Sequence, residues 1–179
     1  ILPGGVVTAK DTAEIELDAN GEFVRNLEVD LVKVAVVERH QGTGNVACGF
    51  LKGYGIKEGA VALSIAHDSH NIIVIGDNDE DMYLAVQELI RTQGGYTLVA
   101  DHHVYDTLEL PVMGLMSDAG FQYSHRKLER MIRKAHEMGV PDAMAPFITL
   151  SFMALPVIPE IRVTPRGIYN VCSGEFYQN

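Results

Sequence analysis

Two imidazoles, a carboxylate, a hydroxyl and an amide stand side by side at His67-Asp68-Ser69-His70-Asn71. Histidines three apart suit one ion held in a turn, a purine edge held by hydrogen bonds, or each other. The same five residues also suit a polar turn whose side chains cap backbone groups. A second group, Glu38-Arg39-His40 followed by Thr43 and Gly44, ends an apolar run. Adjacent Glu and Arg are ordinarily a surface ion pair. At the end of a buried strand, however, charges need partners, and Asp68 and His70 are the candidates. In the third group, Asp77-Asn78-Asp79, Asn78 and Asp79 precede a helical pattern and read as a helix cap. Asp101-His102-His103 fits an exposed hairpin turn, and His125 and His136 fit the polar side of a helix. The sequence holds no Gly-x-Ser-x-Gly elbow, no Walker A motif and no dinucleotide fingerprint.

These groups sit at the ends of elements that must position them. Residues 29–37, 60–65 and 72–75 are β-branched and nearly continuous, which predicts buried strands. The glycine-dense stretch 41–59 reads as a loop with one short helical turn. After Asp79, the residues Met82, Ala85, Val86, Leu89 and Ile90 recur at helical spacing until Gly94-Gly95. Strands at 97–100 and 104–108 follow. A second helix at 124–138 carries Leu128, Met131, Ile132 and Ala135 on one face and stops at Gly139 and Pro141. Residues 145–158 are the most apolar stretch and read as buried core or an interface that makes the chain self-associate. The runs 161–163, 168–171 and 175–177 read as edge strands. The first thirty residues hold two breaker clusters, Leu2-Pro3-Gly4-Gly5 and Asp18-Ala19-Asn20-Gly21. Short alternating runs lie between and after them, as in a small hairpin or connector. The expected fold is α/β, a mixed β-sheet with two main helices. The expected division is a connector over residues 1–29 and a domain over residues 30–179.

Composition narrows the function classes. The chain has 179 residues, 47% of them hydrophobic and 21% charged, enough for one domain with a real core. A net charge of −10 and a pI near 5.0 repel phosphate backbones and anionic lipid, so neither nucleic acid nor a membrane is an expected partner. No apolar run reaches the length of a membrane span, and no signal-peptide pattern is visible. Cys48 and Cys172 read as two reduced thiols of a cytoplasmic protein. A start at Ile1 suggests a processed product or a piece of something longer.

Larger patterns link the polar groups. Glu38-Arg39-His40-x-x-Thr43-Gly44, Gly49-Phe50-x-x-Gly53-Tyr54-Gly55 and Gly59-Ala60-x-Ala62-x-Ser64-x-Ala66-His67-Asp68-Ser69-His70-Asn71 follow in order. Next come Gly76-x-Asn78-Asp79-x-Asp81-Met82 and Leu110-Pro111-Val112-x-Gly114-Leu115-Met116-Ser117. A final stretch joins Pro146-Phe147-x-Thr149-Leu150-Ser151-Phe152 to Ala154-Leu155-Pro156-Val157-Ile158-Pro159-Glu160. Over residues 30–171 this closely resembles the C-terminal domain of bacterial and archaeal adenine deaminases, in the amidohydrolase superfamily.

The resemblance implies an enzyme that converts adenine and water to hypoxanthine and ammonia with a binuclear manganese or iron centre. The family's metal ligands lie on a separate barrel with a His-x-His motif. This sequence has no His-x-His, and 179 residues are too few for that barrel and this domain together. No metal ligand or catalytic residue is therefore carried over, no cofactor is expected in this chain, and the chain alone is expected to be inactive. Glu38, Arg39, His40, His67, Asp68, His70 and Asn71 are the candidates to close the purine pocket or to lie near substrate; a buried polar network that holds the loop is the competing role. The expected partners are adenine in the full-length enzyme, its barrel domain, and a second copy of the chain. The alternatives are a stand-alone purine-binding or regulatory module without chemistry, and a small metal enzyme built on His40, His67, Asp68 and His70.

Overall fold

A strand covered on both faces buries every side chain, so its sequence loses the alternation of a half-buried strand. The computed structural model shows this arrangement; it describes residues 1–2, 5–26 and 28–177. Pro3 and Gly4 of the first breaker cluster lie outside the described residues. In chain order the elements are β1 (Glu16–Leu17), β2 (Phe23–Val24), β3 (Leu31–Val37), β4 (Val46–Lys52), β5 (Ala60–Leu63), β6 (Ile72–Gly76) and α1 (Asp79–Arg91). Then follow β7 (Gly95–Ala100), β8 (His103–Glu109), α2 (Phe121–Glu137), α3 (Pro146–Phe152), β9 (Ile161–Thr164), β10 (Gly167–Asn170) and β11 (Glu175–Phe176). A six-stranded sheet has the order β4-β3-β6-β5-β7-β8; β1-β2 and β11-β10-β9 form two small sheets. The pairings among the described residues are antiparallel.

The two faces of the large sheet divide the core. Val32, Val34, Val36, Val61, Leu63, Ile73, Ile75 and Leu98 pack with Met131 and Ala135 of α2, Phe147 and Leu150 of α3, and Val163 of β9. Ala35, Ala60, Ala62, Val74 and Val99 face Met82, Ala85 and Leu89 of α1. Alanines on that face let α1 lie close to the sheet. Each fully buried Val, Leu or Ile contributes about 1.5–3 kcal/mol, which is why β5 and β6 are buried at every position. The α/β class with two long helices is the architecture expected from the sequence. Cover on both faces, rather than parallel pairing, is what makes its apolar runs continuous.

Two elements depart from the sequence reading. Residues 46–52, which the glycine-dense pattern predicts as part of a loop, form the edge strand β4 instead. Its glycine concealed it: Gly49 leaves room for Ile168 of β10, which packs across β4, and a Cβ there would approach Ile168 Cδ1 to 3.1 Å, so that side chain would have to shift. Within the apolar stretch 145–158, residues 146–152 form α3, with Pro146 in its first turn. Phe147, Thr149, Leu150 and Ser151 are all buried, so no polar face marked the helix in the sequence. The stretch is therefore mostly core of this chain, with Ile148 and Val157 left exposed.

Antiparallel pairing determines where the loops emerge. The ends of β3, β5 and β8 and the starts of β4, β6 and β7 share one edge of the sheet. The segments 38–45, 64–71 and 110–120 all leave from that edge. The cap of α1 lies at the opposite edge, after β6.

Candidate functional site

At the loop edge, the residues of three sequence motifs meet. Glu38 spends its carboxylate on its own turn: the N–H groups of His40, Gln41 and Thr43 donate to it at 2.5, 2.9 and 3.1 Å, and the Thr43 hydroxyl at 3.1 Å. The Thr43 N–H leads those of Gln41 and His40 in holding its pKa down at about 2, against the opposing effect of partial burial. Glu38 does not pair with Arg39. Instead, the Arg39 guanidinium donates to the His70 carbonyl at 2.6 Å and to the Met113 carbonyl at 2.8 Å. Burial lowers its pKa from the usual guanidinium value. The guanidinium lies against Gly114, where φ is +74° and any Cβ would collide with it.

The turn 67–71 is held from both sides. The Asn71 amide oxygen accepts the Arg39 backbone N–H at 3.2 Å, and its nitrogen donates to Ser69 Oγ at 3.1 Å. The His40 ring reaches the Ser69 carbonyl at 2.6 Å. The His67 backbone N–H donates to the Ser151 carbonyl at 3.0 Å. Its ring stacks on Phe152 at 4.8 Å and meets the His70 ring edge-on at 5.7 Å. Arg39 and His40 thus reach the backbone of the turn and not the side chains of Asp68 and His70.

The candidates fall into two sets. Glu38, Arg39, His40 and Asn71 are occupied in hydrogen bonds that shape the edge. His67, Asp68 and His70 keep free bonding capacity. The Asp68 side chain is 82% exposed and its contact is His67 Nδ1 at 3.5 Å. His70 adopts a left-handed backbone, φ 53°, and its buried Nδ1 has no partner among the described residues. Burial, then the nearby His67 and Arg39, lower its pKa and favour the neutral imidazole. Such an imidazole carries one donor and one acceptor nitrogen.

Two contributors, Ser64 and Phe152, stand in the sequence motifs but not among the candidate site residues. Ser64, fully buried at the end of β5, donates to the Gly114 carbonyl at 2.7 Å and accepts the Gly95 N–H at 2.8 Å. It fastens the 110–120 segment from below while Arg39 holds it from the side. A lone hydroxyl ending an all-apolar strand was the available signal. Phe152, the base on which His67 stacks, carried no separate signal within its apolar stretch.

A depression of about 450 Å3 adjoins the edge, lined by Asp68, Ser69, Asn71, Leu155, Val157 and Tyr169 among others. That volume is within the range of small-molecule sites. A larger groove of about 790 Å3 lies between residues 8–15 and β4, and none of the candidate residues lines it. Among the described residues, no group of three or more His, Cys, Asp or Glu is gathered to hold a metal ion. His40, His67, Asp68 and His70 lie in one region without converging on such a centre. At the opposite edge, Asn78 caps α1 by accepting the Asp81 N–H at 2.8 Å, and Asp79 binds Lys33 Nζ at 2.6 Å.

Comparison with known proteins bears on this arrangement. The family model described as "Adenine deaminase C-terminal domain" matches residues 5–175. An adenine deaminase of Desulfitobacterium hafniense is 51% identical over 172 residues, covering 96% of this chain and 30% of the relative. Adenine deaminase 2 of Desulfotalea psychrophila is 51% identical over 177 residues, 98% of this chain and 31% of the relative. An adenine deaminase of Ligilactobacillus salivarius is 43% identical over 180 residues, covering the whole chain and 31% of the relative. The chain thus spans about 30% of the length of these relatives. With that match over nearly its full length, the chain belongs to the adenine deaminase C-terminal domain family.

Proposed function

We propose that this chain works as the C-terminal domain of a longer enzyme that hydrolyses adenine to hypoxanthine and ammonia, and that its loop edge closes the purine pocket. The observation that carries this reading is the convergence of three motif segments, far apart in sequence, at one sheet edge beside a depression of small-molecule size. A stand-alone binding module remains a separate class, distinguished by whether deamination accompanies adenine binding.

In this reading the chain's residues bind and orient rather than supply the reactive centre. A binuclear manganese or iron centre would activate water, but the described residues do not fit such a centre, and its ligands belong to the catalytic barrel of the same enzyme. Glu38, Arg39, His40 and Asn71 build the edge. His67, Asp68 and His70 offer a purine what its ring edge needs: imidazole nitrogens that donate or accept, and a carboxylate that accepts from an exocyclic amine. We place the enzyme in the cytoplasm, where the free and exposed Cys48 and Cys172 would stay reduced. We also expect it to assemble from copies of itself. Among the described residues, no helix is long and apolar enough to cross a membrane.

The test has two parts. The isolated chain, incubated with adenine and manganese, should produce no hypoxanthine; turnover near 1 per second, an ordinary enzyme rate, would refute the division of labour. In the full-length enzyme, His67→Ala and Asp68→Asn should lower kcat/KM by roughly 100-fold or more with little change in Tm, as expected for positioned hydrogen-bonding groups. Near-normal kinetics with a loss of about 1–3 kcal/mol of stability would make the pair structural.

A further inference from the structure

The loop edge presents exposed apolar side chains on a rigid frame. Met113 is 75% exposed and Met116 55%, and both belong to the 110–120 segment. That segment is held by Arg39 through the Met113 carbonyl, by Ser64 through the Gly114 carbonyl, and by a bridge between Val112 and Met116. Ile148, 59% exposed, lies one turn before Phe152 on α3, on the stripe that carries the His67 stack. Val157, 70% exposed, lines the same depression as Asp68. Through Arg39, through α3 and through the shared depression, these apolar groups are tied to the segment that carries His67, Asp68 and His70. A frame that holds them outward has already lost the freedom that binding would otherwise remove, as in a prearranged interface. Methionines suit such a contact because their flexible thioethers adapt to the opposing surface. Exposed apolar patches with polar groups among them mark protein contacts.

We infer that this edge, through Met113, Met116, Ile148 and Val157, is the surface on which the rest of the full-length polypeptide docks, sealing the polar centre from water. The occupant is indicated by length: the relatives match this chain over about 30% of their own residues, so the larger part of each has to meet this domain somewhere. Tyr83 and Ile90 on the outer face of α1 are also exposed, at 67% and 56%, but α1 covers the sheet face opposite α3 and carries none of His67, Asp68 and His70. The inference rests on the reading that the chain is one domain of a longer enzyme, and it adds which side chains of the loop edge make the contact.

Cysteine labelling tests it. Met113→Cys, Ile148→Cys and, as a reference, Tyr83→Cys are introduced singly into the isolated chain and into the full-length polypeptide. Maleimide labelling is read by peptide mass spectrometry, which separates each site from Cys48 and Cys172. Positions 113 and 148 should label on the order of tenfold or more slowly in the full-length polypeptide, as for a surface freed only by local opening, with position 83 little changed. Equal labelling of 113 and 148 in both proteins overturns the inference. Protection that disappears when the full-length polypeptide is diluted a hundredfold also overturns it, because a second copy would then be the cover. Adenine turnover is measured on the same samples. Protection without turnover keeps the docking face and removes the proposed activity, whereas turnover without protection does the reverse.

Discussion

Replacing Arg39 by Ala separates its scaffold role from a substrate role. The guanidinium bonds two carbonyls from different segments, His70 at 2.6 Å and Met113 at 2.8 Å. A hydrogen bond to a charged group contributes about 1.5–3 kcal/mol. Arg39 is only partly buried, so water can replace some of what is lost, and the lower end applies. Arg39→Ala should therefore destabilise the chain by about 2–4 kcal/mol, which is a Tm decrease of roughly 4–16 °C at this chain length. Arg39→Lys should recover only part, because one ammonium cannot reproduce a planar fork that spans two carbonyls. The assay is thermal or urea unfolding, combined with hydrogen exchange over 110–120 and 67–71. Exchange should accelerate in both segments and not around α1. An unchanged Tm, or faster exchange confined to one segment, would refute the claim that Arg39 ties the two together.

Three further outcomes follow from the same geometry. Glu38 titrates near 2 in the folded chain and near 4.3 when unfolded; its contribution is present above about pH 4.3 and lost as pH falls toward 2. Acid unfolding curves should show this loss, and Glu38→Gln should flatten it; an identical acid profile would count against the turn. Gly114→Ala places a methyl against the Arg39 guanidinium at a backbone φ of +74°, and should cost on the order of 1–3 kcal/mol by urea unfolding, with a neutral result refuting the close approach. Asn78→Ala should cost about 1 kcal/mol through the lost α1 cap without altering hydrogen exchange over 67–71 and 110–120; faster exchange there would show that the two edges are coupled.

An element is legible in the sequence when its signal is local, and hidden when the signal depends on distant partners. Strands β3, β5 and β6 were legible because cover on two faces demands unbroken apolar runs. Helix α1 was legible because its cap and its apolar stripe are local. Strand β4 was not, since its central glycine answers to Ile168, more than a hundred residues away. Helix α3 was hidden because burial on nearly every side erases the periodic pattern.

The polar residues divide in the same way. Sequence alone determined which side chains could do chemistry, and the motif spacing pointed to their family. Tertiary structure decided their roles, because hydrogen-bond partners come from antiparallel register and loop approach. Glu38 and Arg39 are sequence neighbours, yet one turns to its own loop and the other to carbonyls 31 and 74 residues away. Asp68 and Asn71 share one turn, yet one side chain is 82% exposed while the other lies buried against Arg39. A chain's order of residues specifies which groups are available; only the packed sheet edge determines which of them are satisfied and which remain free to bind.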